Sequence, residues 1–251
     1  MDNKMFEGRT AMVTGAGKNI GKEIALGFAR GGANVIVCDY NEENALRTVR
    51  ELEEMGVGAM AAVCDVRDRE KIFAYVDEAV KRFGKIDYLV NNAGGSAWLL
   101  GKLSNFVDAE ESTLDFVIDT NIKGAFHCTQ AVLPSMIEHR YGKIINISSI
   151  AAIVGLTDRV DYAAAKAGLI GMAKALAMEV GQYNICVNAV SPGAIARHGK
   201  PGSNCTFLGE DGHGGMPKDV AETVLFLAYQ DYITGENIVV DGGRTLGVGC
   251  K

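Results

Sequence analysis

The sequence predicts an α/β fold with one doubly wound parallel sheet of about seven strands and helices on both faces. Two observations support this prediction. Short apolar runs typical of buried strands alternate with longer helical patterns along the chain. Glycines and polar residues follow these runs directly, as expected where a ligand crevice forms at the carboxyl ends of parallel strands. With 251 residues, 48% of them hydrophobic, the chain suits a single domain over residues 1–251.

The predicted strands are short and evenly distributed. In chain order they are residues 9–14, 34–38, 58–64, 86–91, 143–148, 184–190 and 237–241. Helical patterns fill the intervals between them. Glycine and proline cluster only between residues 192 and 217, where little periodicity is visible, and we therefore predict a long loop there.

The first strand is followed by a glycine-rich turn and then by a helical pattern. Gly15, Gly17 and Gly21 let the backbone turn tightly and approach a pyrophosphate, which a helix N-terminus attracts through its free amide groups. Asp39 ends the second predicted strand, where a carboxylate accepts both adenosine ribose hydroxyls and repels a 2′-phosphate. This order indicates a Rossmann fold that binds NAD in preference to NADP.

A second motif lies in the middle of the chain. Tyr162 and Lys166 are four residues apart, so on a helix the ammonium can lie beneath the phenol. A nearby positive charge lowers the tyrosine pKa from about 10 because it favours the phenolate. Ser149 closes an apolar strand-like run, where its hydroxyl can bind an oxygen on which charge develops. The alternative is an ordinary helix-surface pair, but the preceding cofactor motifs favour an active site for hydride transfer.

These motifs, in this order over nearly the whole chain, resemble the short-chain dehydrogenase/reductase family. The family's TGxxxGxG loop matches TGAGKNIG at 14–21 except at one position, and its NNAG motif stands at 91–94. Its adenine-contacting Asp-Val pair matches Asp65 and Val66, and its Pro-Gly turn over the nicotinamide matches Pro192 and Gly193. The resemblance implies an NAD-dependent enzyme with a substrate loop at 192–216.

The resemblance also implies a role for each matching residue. Lys166 would lower the pKa of Tyr162 and hold the nicotinamide ribose, while Asn121 would support a water that leads protons to bulk solvent. The implied catalytic residues are Asn121, Ser149, Tyr162 and Lys166. The implied cofactor contacts are Gly15, Gly17, Lys18, Asn19, Ile20, Asp39, Asp65, Val66, Asn92, Ala93, Gly94, Tyr162, Lys166, Pro192, Gly193 and Ile195.

Two positions depart from the family pattern. Asn19 replaces the middle glycine of the cofactor loop, and because asparagine adopts left-handed backbone conformations comparatively easily, we expect the loop to keep its shape. Arg197 stands where many relatives carry a threonine that contacts the carboxamide end of the cofactor. This second departure affects the expected anchoring of the nicotinamide.

Composition argues against several other classes of protein. A net charge of −6 gives no basic surface for a nucleic acid partner. The sequence shows no signal or transit peptide and no apolar run of roughly 18 residues, so we expect no membrane partner and a cytoplasmic location. The six cysteines lack a CxxC pair and are expected to be reduced, buried thiols without disulfides. The four histidines lack zinc-site spacing, so no metal is predicted.

The leading functional hypothesis is an NAD-dependent oxidoreductase that interconverts a secondary alcohol and a ketone on a small-molecule substrate. The alternatives within this class are 3-oxoacyl thioester reductase-like activity and steroid or sugar alcohol dehydrogenase activity. A reductase of carbon–carbon double bonds on the same fold usually spaces tyrosine and lysine more widely. A non-catalytic NAD-sensing protein typically lacks one of the two residues, and this chain retains both.

Basic residues near the proposed site suggest an anionic or strongly polar substrate. Arg197, His198 and Lys200 follow the Pro-Gly turn, and Arg159 precedes Tyr162 by three residues. Arginine favours carboxylate, sulfonate or phosphate groups through paired hydrogen bonds. We therefore predict substrate contacts from Ser149, Arg159 and Arg197. The alternative is that the arginines are solvated or pair with nearby acids, namely Asp158, Asp161, Glu210 and Asp211.

Two further features bear on the pocket and on assembly. Trp98 and Leu99 follow the NNAG motif and are candidates for the pocket lining, with surface or interface packing as the alternative. The helical runs at 111–139 and 162–180 are long and apolar. In relatives these helices pack across a dimer axis and give tetramers, so a homo-oligomer, a tetramer or a dimer, is expected; the alternative is burial within one chain.

Overall fold

The computed structural model describes residues 4–196 and 214–247 and contains a seven-stranded parallel sheet. Its strands are β1 (Thr10–Thr14), β2 (Asn34–Asp39), β3 (Ala59–Val63), β4 (Tyr88–Asn91), β5 (Gly142–Ile147), β6 (Ile185–Pro192) and β7 (Asn237–Val240). Their order is β3-β2-β1-β4-β5-β6-β7, and every neighbouring pair is parallel. The predicted fold class is confirmed, and each predicted strand end lies within two residues of the observed one.

Eight α-helices in the described part of the chain connect the strands. They are α1 (Asn19–Arg30), α2 (Glu42–Glu54), α3 (Arg69–Phe83), α4 (Glu111–Ile118), α5 (Gly124–Glu138), α6 (Ala151–Val154), α7 (Val160–Val180) and α8 (Pro217–Tyr229). Side-chain caps begin two of them: Asn41 accepts from the backbone N–H of Asn44 at 2.8 Å, and Asp68 accepts from that of Lys71 at 3.1 Å. A π-helical turn, Asp119–Lys123, joins α4 to α5.

The helices cover both faces of the sheet. On one face, α1, α2 and α8 bury side chains such as Ile24, Leu52 and Val224 against the strands. On the other face, α3, α5 and α7 contribute Ile72, Val132 and Ala173, among others, to a second core. Strands covered on both sides read as continuous apolar runs, which explains why β1 and β5 are buried along their whole length.

The position of the ligand crevice follows from the strand order. β1 lies between β2 and β4, so the chain winds outward in opposite directions from the β1–β4 pair. The connections that leave the carboxyl ends of β1 and β4 therefore diverge, and a crevice opens between them. The glycine loop after β1 and the NNAG segment at the end of β4 lie at this point.

Several sequence expectations concern groups away from the crevice. Cys38, Cys64, Cys128 and Cys186 are buried free thiols, whereas Cys205 and Cys250 lie outside the described residues. Within residues 4–196 and 214–247, no helix combines the length and apolar composition needed to cross a membrane. In the same ranges, no three histidine, cysteine or acidic residues gather as metal ligands would.

Candidate active site

The glycine loop after β1 has the backbone shape that a pyrophosphate site needs. Gly15 has a φ of +63° and Asn19 a φ of +50°, so Asn19 adopts the left-handed conformation expected of it. A Cβ on Gly17 would lie 2.6 Å from Cβ of Asn44, and one on Gly21 would overlap the carbonyl oxygen of Gly15. The loop is therefore packed so closely that these two positions accept only glycine without rearrangement. Ile20 follows in the first turn of α1, after the exposed residue Lys18.

Asp39 joins the end of β2 to this loop. One carboxylate oxygen accepts from the backbone N–H of Gly17 at 2.9 Å, and the other accepts from that of Asn41 at 2.9 Å. Only 6% of the residue is exposed. A buried carboxylate held between two N–H donors is fixed beside the loop, where the sequence places the adenosine ribose.

The loop is also fixed from the side of β4. The Thr14 hydroxyl accepts from the backbone N–H groups of Asn92 and Ala93, both at 2.9 Å. In return, the Asn92 side-chain amide donates to the carbonyls of Thr14 at 2.8 Å and Gly15 at 3.2 Å. These bonds connect the two loops across the crevice. Asn92 was predicted as a cofactor contact; in this structure its amide holds the glycine loop.

The turn after β3 carries the predicted adenine contacts, Asp65 and Val66. The Arg67 side chain donates to the Asp65 carboxylate, and this bond lowers the pKa of Asp65 below its ordinary value. The carbonyl oxygen of Val66 lies 3.0 Å from Nδ1 of His127, on α5. The turn after β3 is thus in contact with α5, the helix that follows the π-helical turn containing Asn121.

Asn121 lies in the π-helical turn and is almost completely buried. Its side-chain amide donates to the carbonyls of Gly95 and Val117, both at 2.8 Å, and its Oδ1 accepts from the backbone N–H of Gly95 at 3.2 Å. A Cβ on Gly94 would overlap Oδ1 of Asn121 and lie 3.1 Å from Nζ of Lys166. Gly94 therefore brings the end of the NNAG motif against two predicted catalytic residues.

Tyr162 and Lys166 lie on α7, as predicted. Nζ of Lys166 is 5.6 Å from the centroid of the Tyr162 ring and donates to the carbonyl of Ile147 at 2.8 Å. Lys166 is 3% exposed, so its ammonium is fixed in a buried position. The Ser148 hydroxyl donates to the Lys166 carbonyl at 2.7 Å, which attaches α7 to the end of β5.

Ser149 stands two residues beyond the end of β5, slightly later than the strand end that the sequence predicts. Its hydroxyl oxygen accepts from the backbone N–H of Ala151 at 3.1 Å. The serine is nearly buried, at 9% exposure. A hydroxyl held in this way keeps a defined direction at the carboxyl edge of the sheet.

The Pro192–Gly193 turn closes the same edge. The Pro192 carbonyl accepts from the backbone N–H of Ile150 at 3.0 Å, and the Gly193 N–H donates to Val240 at 2.9 Å. A Cβ on Gly193 would lie 2.7 Å from Cβ of Asp241, so the turn packs directly on the end of β7. Ile195 forms a parallel bridge with Gly215.

The predicted substrate contacts are only partly within the described residues. Arg197, His198 and Lys200 lie outside them, as does most of the predicted substrate loop. Arg159 is partly buried at the start of α7. Trp98 and Leu99 are 54% and 52% exposed in a 3₁₀ turn.

The structure brings most of the predicted site residues that it describes together at one edge of the sheet. The tight glycine loop follows β1, and the Asp39 carboxylate stands at the end of β2. The buried ammonium of Lys166, on α7, donates to the Ile147 carbonyl at the end of β5. This arrangement fits a nicotinamide dinucleotide. Sequence reasoning did not assign roles to Thr14, Ser148 or Arg67. Thr14 lies in the glycine-loop motif, so its position was a usable signal, whereas the bonds of the other two depend on tertiary structure.

Comparisons with known proteins show which family the chain resembles. Residues 9–200 match the family model described as short chain dehydrogenase. The chain is 40% identical over 249 residues to the 3-oxoacyl-[acyl-carrier-protein] reductase FabG of Thermotoga maritima, with 96% of this chain and 99% of that protein covered. It is also 40% identical over 253 residues to the (2S)-[(R)-hydroxy(phenyl)methyl]succinyl-CoA dehydrogenase subunit BbsD of Thauera aromatica, covering 97% and 99% of the two chains.

Solved structures show the same similarity. An NAD⁺-bound xylitol dehydrogenase superposes with a TM-score of 0.85 at 32% identity, covering 95% of this chain and 99% of that one. A 3-oxoacyl-[acyl-carrier protein] reductase with bound NAD from Brucella melitensis superposes with a TM-score of 0.87 at 34% identity, covering 96% and 92%.

Proposed function

The chain belongs to the short-chain dehydrogenase family and is an oxidoreductase of that family, and from this premise we propose that it interconverts a secondary alcohol and a ketone with NAD. One observation carries the proposal: Nζ of Lys166 lies 5.6 Å from the centroid of the Tyr162 ring, at the carboxyl edge of the sheet. A buried ammonium beside a phenol is the arrangement needed to move a proton to or from a substrate oxygen.

Each proposed catalytic residue has a role that follows from its surroundings. Lys166 is held by the Ile147 carbonyl at 2.8 Å, and its charge favours the phenolate form of Tyr162. Tyr162 then accepts the proton of an alcohol or returns it to a ketone. Ser149 directs its hydroxyl at the same substrate oxygen, and Asn121 supports the water that connects the site to solvent. NAD, when bound, supplies the hydride acceptor at C4 of the nicotinamide.

The preference for NAD over NADP is part of the proposal and depends on Asp39. Its buried carboxylate is fixed beside Gly17, so a 2′-phosphate would approach a second negative charge, with a repulsion on the order of several kcal/mol. We predict a clearly higher kcat/KM with NAD than with NADP. Lys18 is exposed in the loop and offsets part of this repulsion, so weak use of NADP is compatible with the proposal. A higher kcat/KM with NADP would contradict the role given to Asp39.

For the substrate, we propose a small metabolite with an anionic or polar group. Arg159 supports this because, among residues 4–196 and 214–247, it forms no ion pair with Asp158 or Asp161. A second candidate is a 3-oxoacyl thioester. It is supported by the names of two relatives, a 3-oxoacyl-[acyl-carrier-protein] reductase and a (2S)-[(R)-hydroxy(phenyl)methyl]succinyl-CoA dehydrogenase subunit, and by the exposed apolar side chains of Trp98 and Leu99.

The experiment that tests the proposal is a substrate panel with the purified protein. Small hydroxy acids, polyols, steroids and 3-hydroxyacyl thioesters are offered with NAD, and the matching ketones with NADH, and the NADH absorbance band is followed. A Tyr162→Phe variant measures the background. Turnover of one substrate class that is absent in the variant supports the proposal. The class that reacts shows whether the substrate is a small anionic or polar metabolite or a 3-oxoacyl thioester. Binding of NAD without turnover of any panel member would contradict it and favour a sensing protein.

We also propose that the protein is a dimer or a tetramer. Phe126 on α5 is 43% exposed and Met178 on α7 is 88% exposed, so apolar side chains of both long helices face outward from the chain. Packing of these helices against a second copy would cover them. Size-exclusion chromatography with light scattering measures the mass directly, and a monomer at micromolar concentration would contradict the proposal.

A further inference from the structure

Two buried thiols lie in contact beside the glycine loop. Cys38 is the second-last residue of β2, and Cys64 directly follows β3. In the register of these strands Cys38 stands opposite Ala62, so Cys64, which comes two residues later, presents its side chain to the same face of the sheet. The two sulfur atoms are 3.8 Å apart. The proposed reaction uses neither thiol.

The two thiols differ in access and in acidity. Cys38 is 0% exposed and Cys64 is 5% exposed, so a small oxidant reaches the Cys64 sulfur first. Donation from the Cys38 S–H to the Cys64 sulfur lowers the pKa of the Cys64 thiol. The same bond, together with burial, raises the pKa of the Cys38 thiol well above its ordinary value. Because the thiolate is the nucleophilic form, Cys64 is the thiol that reacts with an oxidant.

The two sulfurs can be joined by a movement of the edge strand. A disulfide needs sulfurs about 2.05 Å apart, so they must approach each other by roughly 1.8 Å. Cys38 is fixed in β2, which is paired with β1 on one side and β3 on the other, whereas β3 stands at the edge of the sheet. Cys64 is therefore the residue that moves. A bond closed under such strain is comparatively easy to reduce again.

Three hydrogen bonds connect this pair of cysteines to the glycine loop. The Cys38 carbonyl accepts from the backbone N–H of Ala16 at 3.3 Å, and the backbone N–H of Cys64 donates to the Asp39 carbonyl at 3.2 Å. The Asp39 carboxylate in turn accepts from the backbone N–H of Gly17 at 2.9 Å. A displacement of Cys64 towards Cys38 is thus transmitted to Asp39 and to the closely packed loop.

We propose that Cys38 and Cys64 form an oxidation site, at which hydrogen peroxide converts the two thiols into a disulfide, and that this bond weakens NAD binding by displacing the end of β3 and the glycine loop. The effect on NAD rests on the proposed function, in which the dinucleotide binds at that loop. Reduction of the disulfide restores both thiols and the affinity for NAD.

The oxidation takes two steps and one molecule of peroxide. The Cys64 thiolate attacks one peroxide oxygen, the O–O bond breaks, and the leaving hydroxide takes up the thiol proton and becomes water. The Cys38 sulfur then attacks the sulfur of the resulting sulfenic acid. The S–S bond forms, the S–O bond breaks, and a second water leaves with the Cys38 proton. The two thiols together lose two electrons and two protons, which reduce the peroxide to two waters.

The test follows the bond and the NAD affinity in the full-length protein. Reduced, desalted protein is treated with a small excess of hydrogen peroxide, the remaining thiols are alkylated, and a proteolytic digest is mapped by mass spectrometry. The dissociation constant of NAD is measured before treatment, after it, and again after dithiothreitol. Cys38→Ala and Cys64→Ala are compared with Cys186→Ala. Cys186 is a matched control because it is also buried, but its sulfur accepts from Nζ of Lys143 at 3.3 Å, near the amino end of β6.

The treated parent should yield two peptides joined through Cys38 and Cys64, with a combined mass lower by two hydrogen atoms. Its dissociation constant for NAD should rise about fivefold or more, which corresponds to roughly 1 kcal/mol of strain at the loop. Dithiothreitol should return this constant to within about twofold of the starting value. Cys38→Ala and Cys64→Ala cannot close the bond, so peroxide should change their constants by less than about twofold, while Cys186→Ala should respond as the parent does.

The peptide map of the parent does not depend on the folding of any variant. Recovery of both cysteines in alkylated form, or of Cys64 as a sulfinic acid beside alkylated Cys38, would show that the pair does not close and would overturn the inference. A joined pair with an unchanged dissociation constant for NAD would overturn the effect on the glycine loop. If the reduced parent does not bind NAD, the proposed function fails, and the map still decides whether the disulfide forms.

Discussion

Tyr162 and Lys166 form the pair on which the proposed chemistry depends. The Lys166 ammonium is buried, bonded to the Ile147 carbonyl at 2.8 Å and 5.6 Å from the centroid of the Tyr162 ring. A charge in this position acts on the proton affinity of the phenol and not on the shape of the pocket. In the proposed function, removal of the phenol oxygen would therefore separate catalysis from binding.

We predict that Tyr162→Phe lowers kcat by about 10²–10⁴-fold, the usual contribution of a general acid–base group. The ring and its packing remain, so the dissociation constant of NAD should change by less than about twofold. Steady-state kinetics and NAD titration measure the two effects separately. A variant that keeps more than roughly a tenth of the activity would show that another group transfers the proton.

Gly17 tests the close packing of the cofactor loop. An added Cβ would meet Cβ of Asn44 at 2.6 Å and Oδ2 of Asp39 at 2.8 Å, and Asn44 is anchored in α2. Because overpacking costs about 1–3 kcal/mol, Gly17→Ala should raise the dissociation constant of NAD roughly five- to hundredfold. Gly171→Ala is the control, since its Cβ would meet nothing within 4 Å. Equal NAD affinity in the two variants would contradict the packing argument.

At the residue scale, the sequence predicted properties that belong to one residue or to helical spacing. The left-handed backbone of Asn19 and the pairing of Tyr162 with Lys166 are of this kind. The bond from the Asn92 backbone to the Thr14 hydroxyl was not predictable, because the two residues are 78 positions apart and meet only through the register of β1 and β4. The hydrogen bonds from Arg67 to Asp65 join residues that are close in sequence, but they were not predictable because an arginine side chain has many competing rotamers.

At the scale of elements, the Thr14 hydroxyl connects the ends of β1 and β4. It is 1% exposed, accepts from two backbone N–H groups at 2.9 Å and donates to the Val90 carbonyl at 3.3 Å. We predict that Thr14→Val lowers the free energy of unfolding by about 1–3 kcal/mol, because the two N–H groups lose their acceptor. Urea denaturation measures the change. Thr14→Ser keeps the hydroxyl and should stay close to the parent, and a Thr14→Val variant as stable as the parent would contradict the role given to the hydroxyl.

The elements themselves were predictable to different degrees. The buried strands gave clear apolar runs, and all seven were placed within two residues of their observed ends. The π-helical turn Asp119–Lys123 and the four-residue helix α6 left no periodic signal, because both are too short for a repeating pattern. Thus the sequence identified Asn121 through the resemblance alone, whereas its backbone geometry came from the structure.

At the scale of the whole molecule, the crevice collects groups from strands β1 to β6, so a bound dinucleotide would contact much of the sheet edge. We predict that NAD at 100 times its dissociation constant stabilises the protein by about 2.7 kcal/mol, which for a chain of this size raises Tm by about 5–10 °C. Thermal unfolding with and without NAD measures the shift. Tyr162→Phe should show the same shift and Gly17→Ala a smaller one. An unchanged Tm in the parent protein would contradict a site of this extent.

The global arrangement was predictable because strand ends in a parallel sheet share one edge, so Asp39, Asn92 and Ser149 had to lie near each other if the fold was right. The amino-acid composition only argued against other classes of protein, such as those with a nucleic acid or a membrane partner. The strand order β3-β2-β1-β4-β5-β6-β7 does not follow from apolar runs, since these say nothing about which strands are neighbours. It depends on how the helices pack on the two faces.

The π-helical turn has a consequence for how this protein can change. The turn holds one residue more than an uninterrupted α-helix would accommodate, and it leaves the buried Thr120 hydroxyl without a hydrogen-bond partner in the described part of the chain. Loss of one residue there would merge α4 and α5 into one regular helix. It would also rotate the following residues by about 100° about the helix axis, moving Asn121 away from Gly95. A regular helix and the observed position of Asn121 are thus alternatives, so a single deletion that made the helix regular would remove the contact between Asn121 and Gly95.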